Sequence, residues 1–125
     1  MTSQSAPSYS QGAQDKALLT LTIGQAFERT AARYPENEAL IVRHQHQRLS
    51  WSQLSRAVDL HARGFMALGL QAGDRLGIWA PNCLEWFICQ FASAQIGVIL
   101  VNINPAYRLS ELDYVLKQSA CQWLV

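Results

Sequence analysis

Lysine is almost missing from this 125-residue chain. Lys16 and Lys117 are the two present, against eight arginines. Neither stands in a glycine-rich loop. Neither G-x-G-x-x-G nor G-x-x-x-x-G-K-[ST] occurs, which excludes the usual phosphate cradles. G-x-S-x-G is also absent, and with it the nucleophile elbow of serine hydrolases. The cysteines are Cys83, Cys89 and Cys121, an odd number without a C-x-x-C. A disulfide framework is therefore not expected, and a reducing, cytoplasmic compartment is. Each thiol reads as a small core hydrophobe. Charge of one sign is lacking too: the net charge is +1 and no basic stripe forms. That argues against a nucleic-acid partner.

Long apolar runs are scarce. "WFICQFASAQIGVILV" is interrupted by Gln90, Ser93, Gln95 and Gly97. It is shorter than the ~20 residues a spanning helix needs and has no flanking Lys or Arg. It reads as a buried helix running into a buried strand, not a transmembrane segment. Residues 1–17 are polar and low in apolar residues, without a targeting pattern. They read as a disordered leader ahead of one domain over residues 18–125.

What is present is a regular succession of caps and periods. Thr22 and Gln25 make a capping box, followed by Ile23, Phe27, Ala31 and Tyr34 on one helical face, and Pro35 ends the helix. "EALIVRH" reads as a strand and "HQRLSW" as its hairpin partner. Ser50 and Gln53 form a second capping box. Leu54, Val58, His61, Phe65 and Leu68 follow at helical spacing, and Gly69 closes the helix with Leu70 against Phe65. "RLGIWA" is a strand. Asn82 and Glu85 predict the N-terminus of a helix over about Cys83–Ile96, with Gly97 at its end. "VILVNI" is the next strand, Ser110 and Asp113 predict the cap of another helix, and "CQWLV" begins a last strand.

The second half is thus β-α-β-α-β with short connections, which predicts an α/β, Rossmann-like parallel sheet with flanking helices. The helix near Cys83–Ile96 is apolar nearly all round and "VILV" is continuously apolar, so both belong in an interior. Too little chain is present to cover them. The expectation is an incomplete domain whose last strand, "CQWLV", lies inside a larger sheet.

Candidate chemistry is sparse. His44 and His46 fall on one side of a predicted strand, but no third metal ligand lies nearby, and a polar hairpin tip is the simpler reading. His61 on an apolar helix face reads as a satisfied, half-buried histidine. The remaining candidates come from topology, because open α/β sheets bind ligands beyond the carboxyl ends of their strands. Two such ends are polar: Pro81-Asn82, and "NINPAYR" with Asn102, Asn104, Tyr107 and Arg108. Simple turn-forming asparagines are the competing reading.

Four stretches in order carry a resemblance: "FERTAARYPENEALI", "RLSWSQL", "GLQAGDRLGIWAPNCLEWF" and "GVILVNINPAYRLSELDYVLKQSACQWLV". From Thr22 to Val125 the chain resembles the N-terminal subdomain of adenylate-forming acyl-CoA synthetases. "NPAYR" is similar to the medium- and long-chain fatty acyl-CoA branch, where peptide-synthetase domains usually carry D-P-x-Y-P. The resemblance implies an enzyme that activates a fatty acid with ATP and Mg²⁺ and passes the acyl group to coenzyme A. It also implies that Asn104, Tyr107 and Arg108 lie near a nucleotide or coenzyme A entrance. The family's Ser/Thr/Gly-rich phosphate loop, its Tyr-x-x-Thr-Glu motif and its lysine-bearing C-terminal subdomain have no counterpart here. No catalytic or metal residue is therefore assigned, no cofactor is expected on these residues alone, and the expected partner is the downstream part of the same enzyme. A non-catalytic scaffold that kept the fold, or a peptide-synthetase or coumarate-type branch, stays open.

Overall fold

The computed structural model describes residues 8, 10–13 and 15–125. Within the expected leader, residues 1–7, 9 and 14 lie outside the described residues. Residues 15–22 carry no helix or strand, and Leu18 and Leu19 are exposed.

The first helix, α1 (Ile23–Arg33), begins at the capping box read from sequence. The Gln25 N–H donates to Thr22 Oγ1 at 3.2 Å and the Thr22 N–H to Gln25 Oε1 at 3.0 Å, so two otherwise orphaned donors are satisfied. Its buried face is Gly24, Phe27 and Ala31, narrower than the expected stripe: Ile23 and Tyr34 are exposed. Gly24 sets that face, because a Cβ there would meet the Cα of Gln95 at 3.1 Å. Tyr34 has left helical geometry as the C-cap, before Pro35.

Strands β1 (Glu38–Val42) and β2 (Gln47–Ser50) form an antiparallel hairpin, as expected. His44 and His46 are not on a strand. His44 sits in a 3₁₀ turn over Arg43–Gln45, and His46 takes the left-handed conformation that reverses the chain. The side-by-side placement predicted for them is lost, and no group of His, Cys, Asp or Glu among the described residues could hold a metal ion.

Helix α2 (Trp51–Leu68) starts at the Ser50–Gln53 box and ends at Gly69, whose φ of 101° is left-handed. The Leu70 N–H donates to the Phe65 carbonyl at 3.1 Å and both side chains are buried, the Schellman ending read from sequence. Leu68 is exposed; Ala62 takes its place in the buried row with Leu54, Val58 and Phe65. His61 is half-buried and its Nδ1 lies 2.8 Å from the Ala57 carbonyl, which fixes that nitrogen as the donor.

The second half alternates β3 (Arg75–Ile78), α3 (Leu84–Gln95), β4 (Ile99–Asn102), α4 (Leu109–Ser119) and β5 (Trp123–Leu124). The three strands are parallel, in the order β4-β3-β5. Leading out of β3, the chain crosses to β4; leading out of β4, it crosses back over β3 to β5. Right-handed crossovers in opposite directions put α3 and α4 on opposite faces of the sheet. The main core follows: Leu76 packs with Leu54, Val58, Ile88, Ala92 and Val98, while Ile103 and Leu112 are buried outside that cluster. Phe27, Phe91, Phe87 and Trp51 join α1, α2 and α3 through ring contacts at 4.6–5.7 Å. Within α3, Glu85 is the one exposed residue, which fits its nearly all-round apolar sequence.

Two caps differ from expectation. The N-cap of α3 is Cys83, not Asn82: its Sγ accepts from the Trp86 N–H at 3.4 Å. The N-cap of α4 is Arg108, not Ser110, and Glu111 rather than Asp113 closes it. Glu111 accepts from the Arg108 N–H at 3.1 Å and from the Ser110 hydroxyl at 3.1 Å, while Asp113 pairs with Lys117 at 2.7 Å. Two residues further along, Asp113 is better placed for an i,i+4 ion pair than for the helix end. The last residues do form a strand. The Val125 N–H donates to Gly77 and the Trp79 N–H to Val125, and β5 is one edge of the three-stranded sheet that these residues form.

Candidate functional site

Neighbouring strands whose connections leave toward opposite faces open a crevice at their carboxyl ends. Here those strands are β3 and β4. A cleft of about 510 Å³ lies there, walled by Ala80, Pro81 and Asn82 after β3 and by Asn102 at the end of β4 with Ile103, Asn104 and Pro105 after it, and Trp86 of α3 behind. Asn82, Asn102 and Asn104, read from sequence as polar strand ends, converge on it.

Asn104 organises the β4 side. Its Oδ1 accepts from the Ala106 N–H at 3.0 Å, an Asx turn, and its carbonyl accepts from the Tyr107 N–H at 3.0 Å. The same carbonyl accepts from Trp79 Nε1 at 3.1 Å, which ties the loop after β3 to the loop after β4. The Asn104 Nδ2 group has no partner among the described residues. Trp79 and Trp86 are the members that sequence reasoning missed. Their signal was position: one follows β3 and the other lies in the first turn of α3.

Tyr107 and Arg108 lie elsewhere. Half-buried Tyr107 borders a separate depression along α4 with Ser110, Glu111 and Tyr114. Exposed Arg108 lines neither hollow and serves as the α4 N-cap. Glu111 beneath it is held below the usual carboxylate range, first by its own backbone N–H, then by the Arg108 N–H and the Ser110 hydroxyl.

A second cavity, of about 380 Å³, lies between the hairpin and the start of α3, walled by Leu40, Val42, His44, Cys83 and Phe87. Gln45 bridges its rim: its Nε2 donates to Glu85 at 2.9 Å and its Oε1 accepts from the Leu84 N–H at 2.7 Å. That contact with Gln45, with help from the Glu85 backbone and from Cys83, lowers the Glu85 pKa. Cys89 behind it is pushed up by burial, and the neighbouring Cys83 and Glu85 add to the shift. A raised pKa keeps that thiol protonated and inert. The three cysteines are half-buried and unpaired. The cavity shares Asn82 and Trp86 with the crevice and adjoins it, but only the crevice lies between the carboxyl ends of β3 and β4, so the crevice is the better candidate.

The described residues do not fit a magnesium–nucleotide site. No acidic cluster is present among them and no lysine reaches the crevice. Such a site would need groups that these residues do not supply. No helix among the described residues is long and apolar enough to cross a membrane.

Known proteins agree with this architecture. Medium-chain acyl-CoA ligase ACSF2, mitochondrial, of Homo sapiens is 51% identical over 118 residues, which cover 94% of this chain and 19% of that protein. The putative acyl-CoA synthetase YngI of Bacillus subtilis is 40% identical over 108 residues, 86% of this chain and 20% of that protein. The chain therefore spans about a fifth of the length of these relatives. Among solved structures, the N-terminal domain of FACL13 from Mycobacterium tuberculosis superposes with a TM-score of 0.81 at 24% identity, covering 84% of this chain and 27% of that one. The Klebsiella oxytoca NpsA N-terminal subdomain gives 0.79 at 21% identity, covering 83% and 27%. Those two likenesses show the fold. The profile of AMP-binding enzymes matches residues 27–125, nearly all of the folded part, and the chain belongs to that family.

Proposed function

We propose that residues 18–125 form the N-terminal α/β part of an acid–CoA ligase that activates a fatty acid. The supporting observation is 51% identity to an acyl-CoA ligase across 94% of this chain. The complete enzyme would join a carboxylic acid to ATP with release of pyrophosphate, and coenzyme A would then displace AMP to give the thioester. This part contributes the scaffold and the β3–β4 crevice, and the phosphate-handling groups come from the remaining four-fifths.

Asn104, Tyr107 and Arg108 are proposed to border the nucleotide or coenzyme A entrance. Asn104 offers its Nδ2 donor inside the crevice. Arg108 lines neither hollow, but it is exposed at the start of α4, four residues after Asn104, and a guanidinium there can hold a phosphate bidentately. The unpaired thiols fit a reducing compartment such as the cytoplasm, whereas the ACSF2 relatives are named mitochondrial; imaging a tagged full-length protein separates the two.

The test replaces the matching 118 residues of the human ligase with this chain and measures acyl-CoA formation. A working part gives a folded chimera that makes thioester. A folded chimera that makes none favours the scaffold reading. In an active chimera, Arg108→Ala should slow the thioester step by roughly ten- to a hundredfold while sparing adenylation. Equal effects on both steps would reduce Arg108 to a helix cap.

A further inference from the structure

The cavity between the hairpin and α3 has walls that divide by chemistry. Leu40 and Val42 of β1 and Trp86 and Phe87 of α3 enclose about 380 Å³. All four are half-buried, and the apolar surface they leave open is surface that an apolar ligand would remove from water. Leu40 and Phe87 also pack on the main core, and Gln45 bonds to both Glu85 and the Leu84 N–H. Floor and rim are therefore fixed before anything binds, as in most small-molecule sites. The ionisable side of the lining is basic. Arg43 and His44, exposed on the turn after β1, border the cavity, and no Asp or Glu does. Neither ion pair among the described residues, Arg48–Glu38 or Lys117–Asp113, engages Arg43. The rim carboxylate, Glu85, accepts from Gln45 Nε2 at 2.9 Å and does not line the cavity.

An apolar hollow with a basic border selects a ligand with an apolar body and an anionic end. We infer that this cavity binds a straight-chain carboxylate, its tail among Leu40, Val42, Trp86 and Phe87 and its head on Arg43 with His44 beside it. A guanidinium matches a carboxylate through two parallel hydrogen bonds. At roughly 30 Å³ per atom-sized group, the share of a water molecule in the liquid, the hollow of about 380 Å³ holds about twelve such groups, the size of a ten-carbon acid. This is a second acid site. It lies off the β3–β4 crevice, so the acid held in it is not the one that the complete enzyme would activate. Asn82 and Trp86 wall both hollows, and an acid in the cavity therefore touches two residues of the crevice wall. The inference goes beyond the proposed function, because every group it uses lies in this chain.

Titration of the 125-residue chain with decanoate, followed by NMR of the Trp86 indole and the Val42 amide, tests this. Both signals should shift together and saturate at one acid per chain, below the concentration at which the acid forms micelles. Arg43→Glu should weaken binding about tenfold or more, and Arg43→Lys should restore much of it. Arg63→Glu, the same charge reversal at an exposed position of α2 outside the cavity, should leave it unchanged. Val42→Trp, which fills the hollow, should abolish binding; the exposed Arg43 variants carry the test if that variant does not fold. Decanol should bind at least tenfold more weakly than decanoate, and decyltrimethylammonium not at all. Equal binding of decanol overturns the assignment of the head to Arg43. Shifts that begin only with micelles or anionic vesicles overturn the site in favour of a lipid surface, and no shift at all overturns it outright. The two readings fail separately. Decanoate binding with no thioester from a folded chimera sinks the proposed function alone, and thioester formation without decanoate binding to this chain sinks the second site alone.

Discussion

Toward α3, the sheet lays Leu76 at 1% exposure beneath Leu54 at 0% and Ala92 at 0%. Toward α4, Ile99 and Leu124, which share the Gly77 face by register, keep 47% and 45% of their surface. Three helices close the first face, and Leu112 is the one buried anchor of α4 on the second. The same strands thus have a finished core on one side and an unfinished one on the other. The difference shows what the family resemblance means physically. The α1–α2–α3 layer buries its side of the sheet, and the α4 side leaves apolar side chains at both sheet edges half-exposed.

Mutations should separate the two faces. The largest effect is expected at Leu54→Ala, which empties a fully buried site; it should cost about 2–5 kcal/mol of unfolding free energy in denaturant melts. Leu112→Ala should cost less, because its surroundings are open enough to relax. Equal losses would erase the distinction between the faces.

Glycine substitutions come next. Gly24→Ala would drive a Cβ to 3.1 Å from the Gln95 backbone, which cannot yield without moving α3. Despite the helix propensity that alanine gains, a net loss of about 1–2 kcal/mol is expected. Gly77→Ala meets Ile103 Cδ1 at 2.9 Å and Leu124 Cδ1 at 3.2 Å, both side-chain ends on the looser face. It should cost under about 1 kcal/mol. Thermal melts of both variants check the order.

The smallest effect is electrostatic. The Glu111 pKa is depressed in the folded state, so its carboxylate supports α4 above the unfolded pKa of about 4.3. That support fades as pH falls through the lower folded value. Because Glu111 is fully exposed the change is small. Glu111→Gln should flatten the acid limb of the melting curve while leaving pH 7 nearly unchanged. A mutant curve that parallels the parent's would remove Glu111 from that account.

Legibility in the sequence followed the same division. The caps at Thr22, Ser50 and Gly69, the α/β order and the burial of α3 are set by local chemistry, and they were readable. Cys83 and Arg108 were not readable as caps: Cys83 serves with a weakly accepting sulfur, and at Arg108 the backbone N–H, not the side chain, makes the bond. His44 and His46 were legible as a polar hairpin tip, but period-2 reasoning, which put them on a strand, cannot foresee a 3₁₀ turn and a left-handed residue. The strand-end asparagines were legible as candidates, but their convergence depends on crossover direction. Trp79 enters the site only because its indole reaches a carbonyl 25 residues away.

The most direct measurement is acid-dependent ATP–pyrophosphate exchange, run side by side on the isolated 125-residue chain and on the human-ligase chimera. The account predicts no exchange by the isolated chain and exchange by the chimera that rises with added fatty acid. Exchange by the isolated chain, or its absence from a folded chimera, would contradict it.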